Sequence, residues 1–468
     1  MATQIPTNRA QFTRAEVLAA TRGNAIGPDW DCIVGVTTDS RRVEPGNLFV
    51  ALRGERFDAH RFAAQAVELG ATAVVVERGA GLPPNVSAIE VDDTLVALGD
   101  LARAHREAWA GQLIGITGSV GKTTTKTLAA SALQAAGRRV HATVGNLNNR
   151  VGVPMTLLQL DDAVDTAVIE MGTSEPGEIP KLADIARPEA AIVTRASLAH
   201  TEGLGSIEAV ADEKVSLLHA LDPDGIAIAY GDDAPIKKRA SVVAAKRKIF
   251  YGRGSGNDVR VLDWAVDHEA TRARFQVQGH DIEVGMGLIG EGAVLNAAAV
   301  LALAHGLGIS LREAAEGIAT VKPLSGRMCA LSGNGGRLVI DDSYNSNPAA
   351  IENALSTASV IAEQRKAPLI AVLGDMKELG AQSEEAHRRV GELVADAGVF
   401  LFVGCGEAMR EAIAAAVARG VATLWFENSN ECRQIADRLP LGAVVLVKGS
   451  RSMEMERTIG PLLGGEQP

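Results

Sequence analysis

A glycine-containing segment, residues 115–126, constrains the fold of this chain more than any other stretch. It reads GITGSVGKTTTK, follows an apolar run at 112–116 that is typical of a strand, and opens a helical pattern over 123–136 that Gly137 ends. This order of strand, glycine loop, Lys-Thr pair and helix is typical of a phosphate-binding loop, because backbone N–H groups and the positive end of the helix face the phosphate charge. The segment therefore predicts a nucleotide site at a strand-to-helix junction.

Two side chains of this loop have specific expected roles. Lys122 would reach the β- and γ-phosphates, and the hydroxyl of Thr123 would bind Mg²⁺. The strict pattern has a glycine where Ile116 stands, so this is a variant loop in which two later glycines allow the close approach. The residues predicted to surround the phosphates are Gly118, Ser119, Val120, Gly121, Lys122, Thr123 and Thr124. The alternative is a glycine-rich turn that binds no ligand.

Composition excludes several classes of function. A chain of 468 residues with 47% hydrophobic residues has room for two to four folded domains. Its net charge of −11 and its lack of a basic stripe argue against nucleic acid as the main partner. No apolar run approaches the roughly 20 residues of a membrane span, and the polar first nine residues hold no signal-peptide core. Four scattered cysteines predict reduced thiols in a cytoplasmic protein.

The pattern of apolar runs predicts three α/β domains, at residues 1–94, 95–326 and 327–468. The first is small, with helices at 12–21 and 60–69, a strand at 73–77, and a segment at 35–52 that holds two apolar strands with a polar turn and Pro-Gly between them. In the second, 260–266 and 274–287 alternate like two antiparallel strands of a β flap, and 293–305 is an Ala-rich helix. The third has apolar strands at 337–340, 369–373, 399–403 and 444–447. Polar or glycine-containing residues follow each of these four strands, which indicates a second doubly wound sheet.

Polar residues at strand ends indicate where ligands bind in the central domain. In parallel α/β sheets ligands bind at the carboxyl ends of the strands. Glu170 ends the apolar run 166–170, so it is placed to meet the Mg²⁺ of the phosphate loop, and Mg²⁺ takes one or two carboxylates besides phosphate oxygens and water. His200 follows the next strand end, and Lys214 lies on the helix after it. Each of these last two residues, taken alone, is more often a surface or core residue.

Several motifs together, spanning nearly the whole chain, resemble the ATP-dependent Mur ligases of peptidoglycan synthesis. They are TDSR at 38–41, PGNLFVAL at 45–52, the phosphate loop, NLNNRVGVP at 146–154, EMG at 170–172, AHTEGLGS at 199–206, DDSYNSNP at 341–348, AVLGDM at 371–376 and VKGSRSM at 447–453. The phosphate loop is shared by all Mur ligases and by folate-glutamate ligases. The segments YNSNP and KGSR are more particular to the members that join D-alanyl-D-alanine to UDP-N-acetylmuramoyl-tripeptide.

The resemblance implies a two-step reaction. The terminal carboxylate of the tripeptide attacks the γ-phosphate of ATP, and the amine of the dipeptide then displaces phosphate from the acyl phosphate. It implies catalytic roles for Lys122, His200 and Lys214 and two Mg²⁺ ions. One ion would be held by Thr123 and Glu170, the other by His200 and by Lys214 in the form of a carbamate. The nucleotide contacts it implies besides the loop are Asn296, Arg327 and Asp342. The substrate contacts are Ser40 and Arg41 at the UDP end, Asn146 and Asn149 at the mouth of the phosphate site, and Asn345, Asn347 and Arg451 on the dipeptide side.

The residues leave other classes open. A sister ligase that adds another amino acid, a folylpolyglutamate-type ligase, a P-loop NTPase switch and a kinase all use such a loop. Against the switch, the chain has no Asn-Lys-x-Asp guanine motif and no Asp-x-x-Gly motif after the loop strand. The expected partners are small molecules only, for a monomer without stable membrane insertion. The third residue of the tripeptide, diaminopimelate or lysine, stays undetermined.

Overall fold

Three separate sheets build the molecule. The computed structural model describes residues 3–54, 57–196, 206–267, 270–323 and 325–464. The strands of the three sheets follow one another along the chain without mixing, which confirms the predicted three-part α/β organisation. The domain boundaries after residues 94 and 326 stay predictions.

The first sheet has five strands and is parallel apart from one edge strand. In spatial order the strands are Asn24–Ile26 (antiparallel), Ala88–Val91, Ala73–Glu77, Leu48–Val50 and Val36–Thr37. Two short antiparallel pairs lie outside this sheet, Gln11–Thr13 with Cys32–Val34 and Arg53–Gly54 with Phe57–Asp58. The α-helices of this part are Arg14–Thr21, Ala63–Glu68 and Thr94–Ala108.

The central sheet has nine strands and carries the phosphate loop near its middle. In spatial order they are Val140–Ala142, Thr166–Glu170, Gln112–Thr117, Ala190–Val193, Ile226–Tyr230, Arg247–Gly252, Val259–Asp267, Ala270–Val277 and His280–Met286. Pairing is parallel as far as Val259–Asp267, and the last three strands form an antiparallel meander. The helices are Lys122–Ala135, Gly152–Leu157, Glu178–Ala186, Ile207–His219, Ala234–Ala240, Glu291–Leu307 and Leu311–Thr320.

The third sheet has six strands, of which five are parallel. In spatial order they are Cys329–Ser332 (antiparallel), Leu338–Asp342, Val444–Lys448, Leu369–Gly374, Leu401–Cys405 and Ala422–Phe426. The α-helices are Pro348–Arg365, Ser383–Asp396, Met409–Ala418, Ser429–Cys432 and Ile459–Leu463. All four predicted strands are confirmed. The two strands missed by the sequence pattern, Cys329–Ser332 and Ala422–Phe426, both lie at an edge of the sheet, where few residues are buried and the apolar signal is weak.

Three predicted elements were wrong in their limits. The range 274–287 is not one strand, because Gln278 and Gly279 both adopt positive φ and turn the chain into a two-residue hairpin. The first helix begins at Arg14 rather than residue 12, because Thr13 caps it in a mutual exchange of hydrogen bonds with Glu16. The range 60–69 starts as a 3₁₀ turn and is an α-helix only over Ala63–Glu68.

One apolar core joins the first domain to one face of the central sheet. Helix Thr94–Ala108 lies between them and contributes Leu98 and Leu101 to this shared core. The third domain has its own cores on the two faces of its sheet, and one of them reaches the central domain at Val266 and Ile289. Among the helices of the described residues, none combines the length and apolar character that crossing a membrane requires.

Candidate active site

A cleft of about 470 Å³ opens between the central and third domains. We call it the main cleft. The phosphate loop lines it from the central domain, together with the asparagine loop after residue 145 and the end of strand Thr166–Glu170. Residues 326–328 and the segment after strand Leu338–Asp342 line the opposite wall. The carboxyl ends of both parallel sheets therefore face one space, as ligand sites in this class of sheet do.

The phosphate loop has a shape that only its glycines allow. Gly118 has φ +148° and Gly121 has φ +89°. A Cβ at Gly118 would lie 1.8 Å from the hydroxyl oxygen of Thr194, and one at Gly121 would lie 2.4 Å from Oδ1 of Asn296. The Thr194 hydroxyl also donates to the carbonyl of Val120 at 2.7 Å. The loop is thus held from two sides, and its helix begins at Lys122, one residue earlier than predicted.

Two lysines on the same face of this helix lie against the loop. Nζ of Lys122 donates to the carbonyl of Gly118 at 2.7 Å, and Nζ of Lys126 donates to the carbonyl of Gly145 at 3.1 Å. Burial lowers the pKa of both ammonium groups, and the charge of Glu170 opposes that shift. A polyanion in the loop would supply the compensating charge that these ammonium groups lack.

Glu170 is the carboxylate nearest to both lysines, and it is only 1% exposed. Its Oε1 accepts a hydrogen bond from Nδ2 of Asn148 at 2.8 Å. Its Oε2 lies 3.3 Å from Nζ of Lys126 and has no hydrogen-bond partner within the described residues. A buried carboxylate oxygen with unused acceptor capacity beside a phosphate loop fits a divalent cation, with the Thr123 hydroxyl in the same cleft as a second donor.

The described residues contain no group of three or more His, Cys, Asp or Glu side chains that could hold a metal. One carboxylate and one hydroxyl suit Mg²⁺, which keeps several waters and binds phosphate oxygens. His200, the other predicted metal ligand, lies outside the described residues.

Lys214 lies behind the cleft rather than on its wall. It belongs to helix Ile207–His219 and is 2% exposed. Its pKa falls from 10.5 to about 7, first because of burial and second because of the charge of Lys122, while Glu213 and Glu178 oppose the shift. The neighbouring Glu213 caps helix Glu178–Ala186 by accepting from the N–H groups of Gly177 and Ile179, each at 2.8 Å.

A buried ion pair forms the wall contributed by the third domain. Nζ of Lys448 lies 2.6 Å from Oδ2 of Asp342 and donates to the carbonyl of Asn345 at 2.7 Å. Oδ1 of Asp342 accepts from the N–H of Met328 at 3.1 Å, which ties the interdomain segment to this strand end. Burial raises the pKa of Asp342, opposed by Lys448. The guanidinium of Arg327 stacks over the ring of Tyr344, 4.2 Å from its centroid.

The predicted substrate residues divide into three groups. Asn146, Asn149, Asn345 and Asn347 line the main cleft, and so do the predicted nucleotide contacts Asn296, Arg327 and Asp342. Asn149 and Asn347 also cap helices, accepting from the N–H groups of Gly152 and Ala350 at 2.9 Å. Arg451 is not brought to this cleft, because it pairs with Glu456 at 2.6 Å.

Ser40 and Arg41 lie away from the main cleft. They belong to the 3₁₀ turn Ser40–Arg42, and Arg41 lines a second cavity of about 350 Å³ while pairing with Asp39 at 2.8 Å. Ser40 does not line that cavity.

Sequence reasoning missed four residues that shape the site: Lys126, Asn148, Thr194 and Lys448. Three of them had a local signal. Lys126 follows Lys122 by four residues and so lies on the same helix face, Asn148 lies in the asparagine run, and Lys448 opens the KGSR segment. The partners of Thr194 and Lys448 lie 74 and 106 positions away, and no local pattern reveals them.

The fold and the cleft define a three-domain α/β protein with a phosphate loop for a nucleotide. Three family models match it, "Mur ligase family, catalytic domain" at residues 32–106, "Mur ligase middle domain" at 116–304 and "Mur ligase, glutamate ligase domain" at 326–451.

Two curated relatives are both named UDP-N-acetylmuramoyl-tripeptide–D-alanyl-D-alanine ligase. The protein of Bacillus subtilis (strain 168) is 34% identical over 448 residues, covering 94% of this chain and 96% of the relative. That of Escherichia coli (strain K12) is 36% identical over 434 residues, covering 91% and 93%. This chain therefore belongs to the Mur ligase family, and it is a ligase.

Solved structures agree with this assignment. MurF from Acinetobacter baumannii superposes with a TM-score of 0.88 at 30% identity, covering 97% of this chain and 99% of that one. MurF from Thermotoga maritima, in complex with ADP, gives 0.82 at 28% identity, covering 92% and 97%.

Proposed function

We propose that this protein joins D-alanyl-D-alanine to the terminal carboxylate of UDP-N-acetylmuramoyl-tripeptide and converts ATP to ADP and phosphate, a step of peptidoglycan precursor synthesis. The observation that carries the proposal is the main cleft, in which the phosphate loop faces the YNSNP and KGSR segments of the third domain. Relatives with this named activity cover more than nine tenths of the chain.

The cations of the cleft suit the first half of this reaction. A carboxylate is a poor acyl donor until its oxygen becomes part of a good leaving group, so a phosphoryl group from ATP must be attached to it. The attacking carboxylate and the triphosphate repel each other. Lys122 and Arg327 line the cleft and would bring positive charge to the place where the two anions meet, and Lys126 adds its charge from outside the cleft lining, 3.3 Å from Glu170.

Thr123 and Glu170 would hold a first Mg²⁺, and His200 with Lys214 would hold a second. The ions would supply further charge neutralisation and orient the phosphate oxygens. The support from the structure is Oε2 of Glu170 beside the loop, which lies 3.3 Å from Nζ of Lys126 but accepts no hydrogen bond within the described residues.

Lys214 would act as a carbamate. Only the neutral amine reacts with CO₂, and a pKa of about 7 leaves roughly half of the Lys214 side chains neutral at pH 7. The reaction would replace a cation that repels Lys122 by an anion that attracts it, which favours the modified form.

Substrate ends would lie on different domains. Asn146 and Asn149 would contact the reacting end of the tripeptide, and Asn345 and Asn347 the dipeptide, with Arg451 joining them only after release from Glu456. Ser40 and Arg41 would contact the UDP end. Closing of the third domain would bring amine and acyl phosphate together and exclude water. The protein would act as a cytoplasmic monomer on these small molecules.

The test is whether product release depends on both the UDP-linked tripeptide and the dipeptide. Purified protein is incubated with ATP and Mg²⁺, and ADP, phosphate and the amide-linked product are measured with each substrate omitted in turn. We expect phosphate only when UDP-N-acetylmuramoyl-tripeptide and D-alanyl-D-alanine are both present. Steady phosphate release without the dipeptide would overturn the proposal in favour of an NTPase.

A further inference from the structure

The second cavity has a wall that none of the predicted site residues provides. One side of this cavity consists of residues 3–8, which we call the strap, and the other of residues 36–39, Arg41, Arg42, Glu44 and Asn47, while Met155 comes from the central domain. Its volume of about 350 Å³ is within the range of roughly 300–1,000 Å³ that small-ligand sites occupy. The cavity therefore has room for part of a substrate, and the strap encloses it.

The lining of this cavity differs in chemistry from that of the main cleft. Its neutral polar lining residues are Thr3, Thr7, Thr37 and Thr38, with Pro6 and Met155 as apolar surface, while the amides of Asn8 and Asn47 are engaged with backbone groups. Its charged residues, Asp39 and Glu44 against Arg41 and Arg42, balance in number. Neutral donors and acceptors beside an apolar surface suit a nucleoside, whose base has polar edges and an apolar face, better than they suit a triphosphate.

The strap is fastened to the first domain. The amide of Asn8 binds both backbone groups of Val36, donating to its carbonyl at 2.7 Å and accepting from its N–H at 3.0 Å. Arg42 donates to the carbonyl of Ile5, and the Ile5 side chain packs against the shared core. These contacts continue the edge of the first sheet, so the strap is a fixed wall of the cavity.

The front of the strap reaches the main cleft. The hydroxyl of Thr3 donates to Oδ1 of Asn146 at 2.6 Å, and Asn146 lines the main cleft. Gly145, with φ +55°, allows this approach, because a Cβ there would lie 2.4 Å from the Thr3 hydroxyl oxygen. The strap thus lines the second cavity and also contacts Asn146, the residue predicted to meet the reacting end of the tripeptide.

We infer that the strap is a specificity-determining wall for the uridine end of the UDP-linked substrate, and that Thr3 positions Asn146 for the other end. This inference rests on the proposed function. It assigns to residues 3–8 a contribution to the affinity for the UDP-linked substrate alone, because the proposed ATP and dipeptide sites line the main cleft, which shares no lining residue with this cavity.

The experiment compares steady-state constants of the full chain with those of a variant lacking residues 3–7. We expect the KM for UDP-N-acetylmuramoyl-tripeptide to rise about tenfold, since several contacts are lost. The KM values for ATP and D-alanyl-D-alanine and the kcat should change less than twofold. Thr3→Val, which keeps the wall but removes the hydrogen bond to Asn146, should raise the same KM about threefold. Thr423→Val, on the far edge strand of the third sheet, is the matched control and should change nothing.

An unchanged KM for the UDP-linked substrate in the deletion variant would overturn the inference. A parallel shift of all three KM values with a lower thermal midpoint would overturn it as well, since it would indicate a structural role. Titration calorimetry with UDP-N-acetylmuramoyl-tripeptide in the absence of ATP separates this inference from the proposed function. If the full chain binds that compound and the deletion variant binds it about tenfold more weakly, the inferred role of the strap in substrate affinity is supported, even if the protein ligates no dipeptide.

Discussion

The two sides of the main cleft both combine lysine ammonium groups with a carboxylate, but they differ in how well these charges match in number. On the central side the ammonium groups of half-buried Lys122 and buried Lys126 share the single carboxylate of Glu170, one oxygen of which has no hydrogen-bond partner within the described residues. On the third-domain wall the buried charges of Lys448 and Asp342 pair one to one at 2.6 Å, and the cation of Arg327 lies over the Tyr344 ring. Lysines that outnumber their carboxylate partner are suited to bind a charged ligand, and a one-to-one buried pair is suited to hold the shape of its wall.

The strongest test of this contrast is Lys122→Ala. We expect ligation to fall at least about a thousandfold, because preorganised charge at the transferring phosphate is lost. The thermal midpoint should not fall, since the variant removes a half-buried cation whose pKa burial already lowers. Rates and melting curves are compared with those of Lys181→Ala, an exposed lysine of the same domain. A variant that keeps most of its activity would remove Lys122 from the mechanism.

Glu170→Gln should have the next largest effect. The amide keeps the size of the side chain but removes the charge that a divalent cation needs, so we expect the rate to fall about a hundredfold at low Mg²⁺. Raising the Mg²⁺ concentration should recover part of the loss. An unchanged Mg²⁺ dependence of the rate would contradict a metal-binding role for this carboxylate.

Lys448→Met tests the opposite wall, where stability should respond more than chemistry. Removing one partner of a buried ion pair costs about 3–5 kcal/mol, because the other charge is left uncompensated. Lys448 is 3% exposed, so little of this cost is screened by solvent. Denaturant unfolding measures the loss, with the exposed Lys238→Met as control. A variant with unchanged stability but abolished ligation would show that Lys448 binds a ligand rather than stabilising its wall, and would contradict the proposed difference between the two sides of the cleft.

The smallest expected effect is the pH dependence caused by Lys214. Because its folded-state pKa is about 7 and its ordinary pKa is 10.5, the unfolded chain binds more protons between these values, and stability should rise with pH across that window. The same titration makes the amine reactive toward CO₂, so activity at fixed bicarbonate should fall severalfold below pH 7. Initial rates from pH 6 to 8.5 measure this. Lys214→Ala supplemented with a small carboxylate should show partial recovery and no such fall; no recovery at any concentration would contradict the carbamate.

The parts of the site that depend on short stretches of sequence were predictable. The phosphate loop and Glu170 follow directly from a strand and its end, so an apolar run with the right residues after it was sufficient to predict their position. The role of Asp342 came only from the family resemblance and stays a prediction. The partners of these residues were not, because they depend on which strands become neighbours. Lys448 meets Asp342 only because strand Val444–Lys448 inserts beside Leu338–Asp342, although about a hundred residues separate them in the chain.

The position of Arg451 also depends on contacts that its motif does not reveal. The motif predicts a substrate contact, and in the structure the chain turns after strand Val444–Lys448 so that the guanidinium pairs with Glu456. The hairpin at Gln278 and Gly279 was missed for a local reason. Gly279 was a visible turn signal, but the alternating pattern on both sides of it made 274–287 look like one strand.

The core shared by the first and central domains determines which domains of this chain could be exchanged for those of a related ligase. Helix Thr94–Ala108 is packed into the first and central domains at once, so a junction placed there in a chimera would split a continuous apolar interior and leave both halves insoluble. A junction near residue 325 leaves this shared core intact, and within the described residues the third domain's buried cores include only Val266 and Ile289 from the central domain. Grafting the third domain of a sister ligase onto this chain should therefore yield a folded hybrid, and the amino acid such a hybrid accepts would reveal how much of the choice of nucleophile that domain carries.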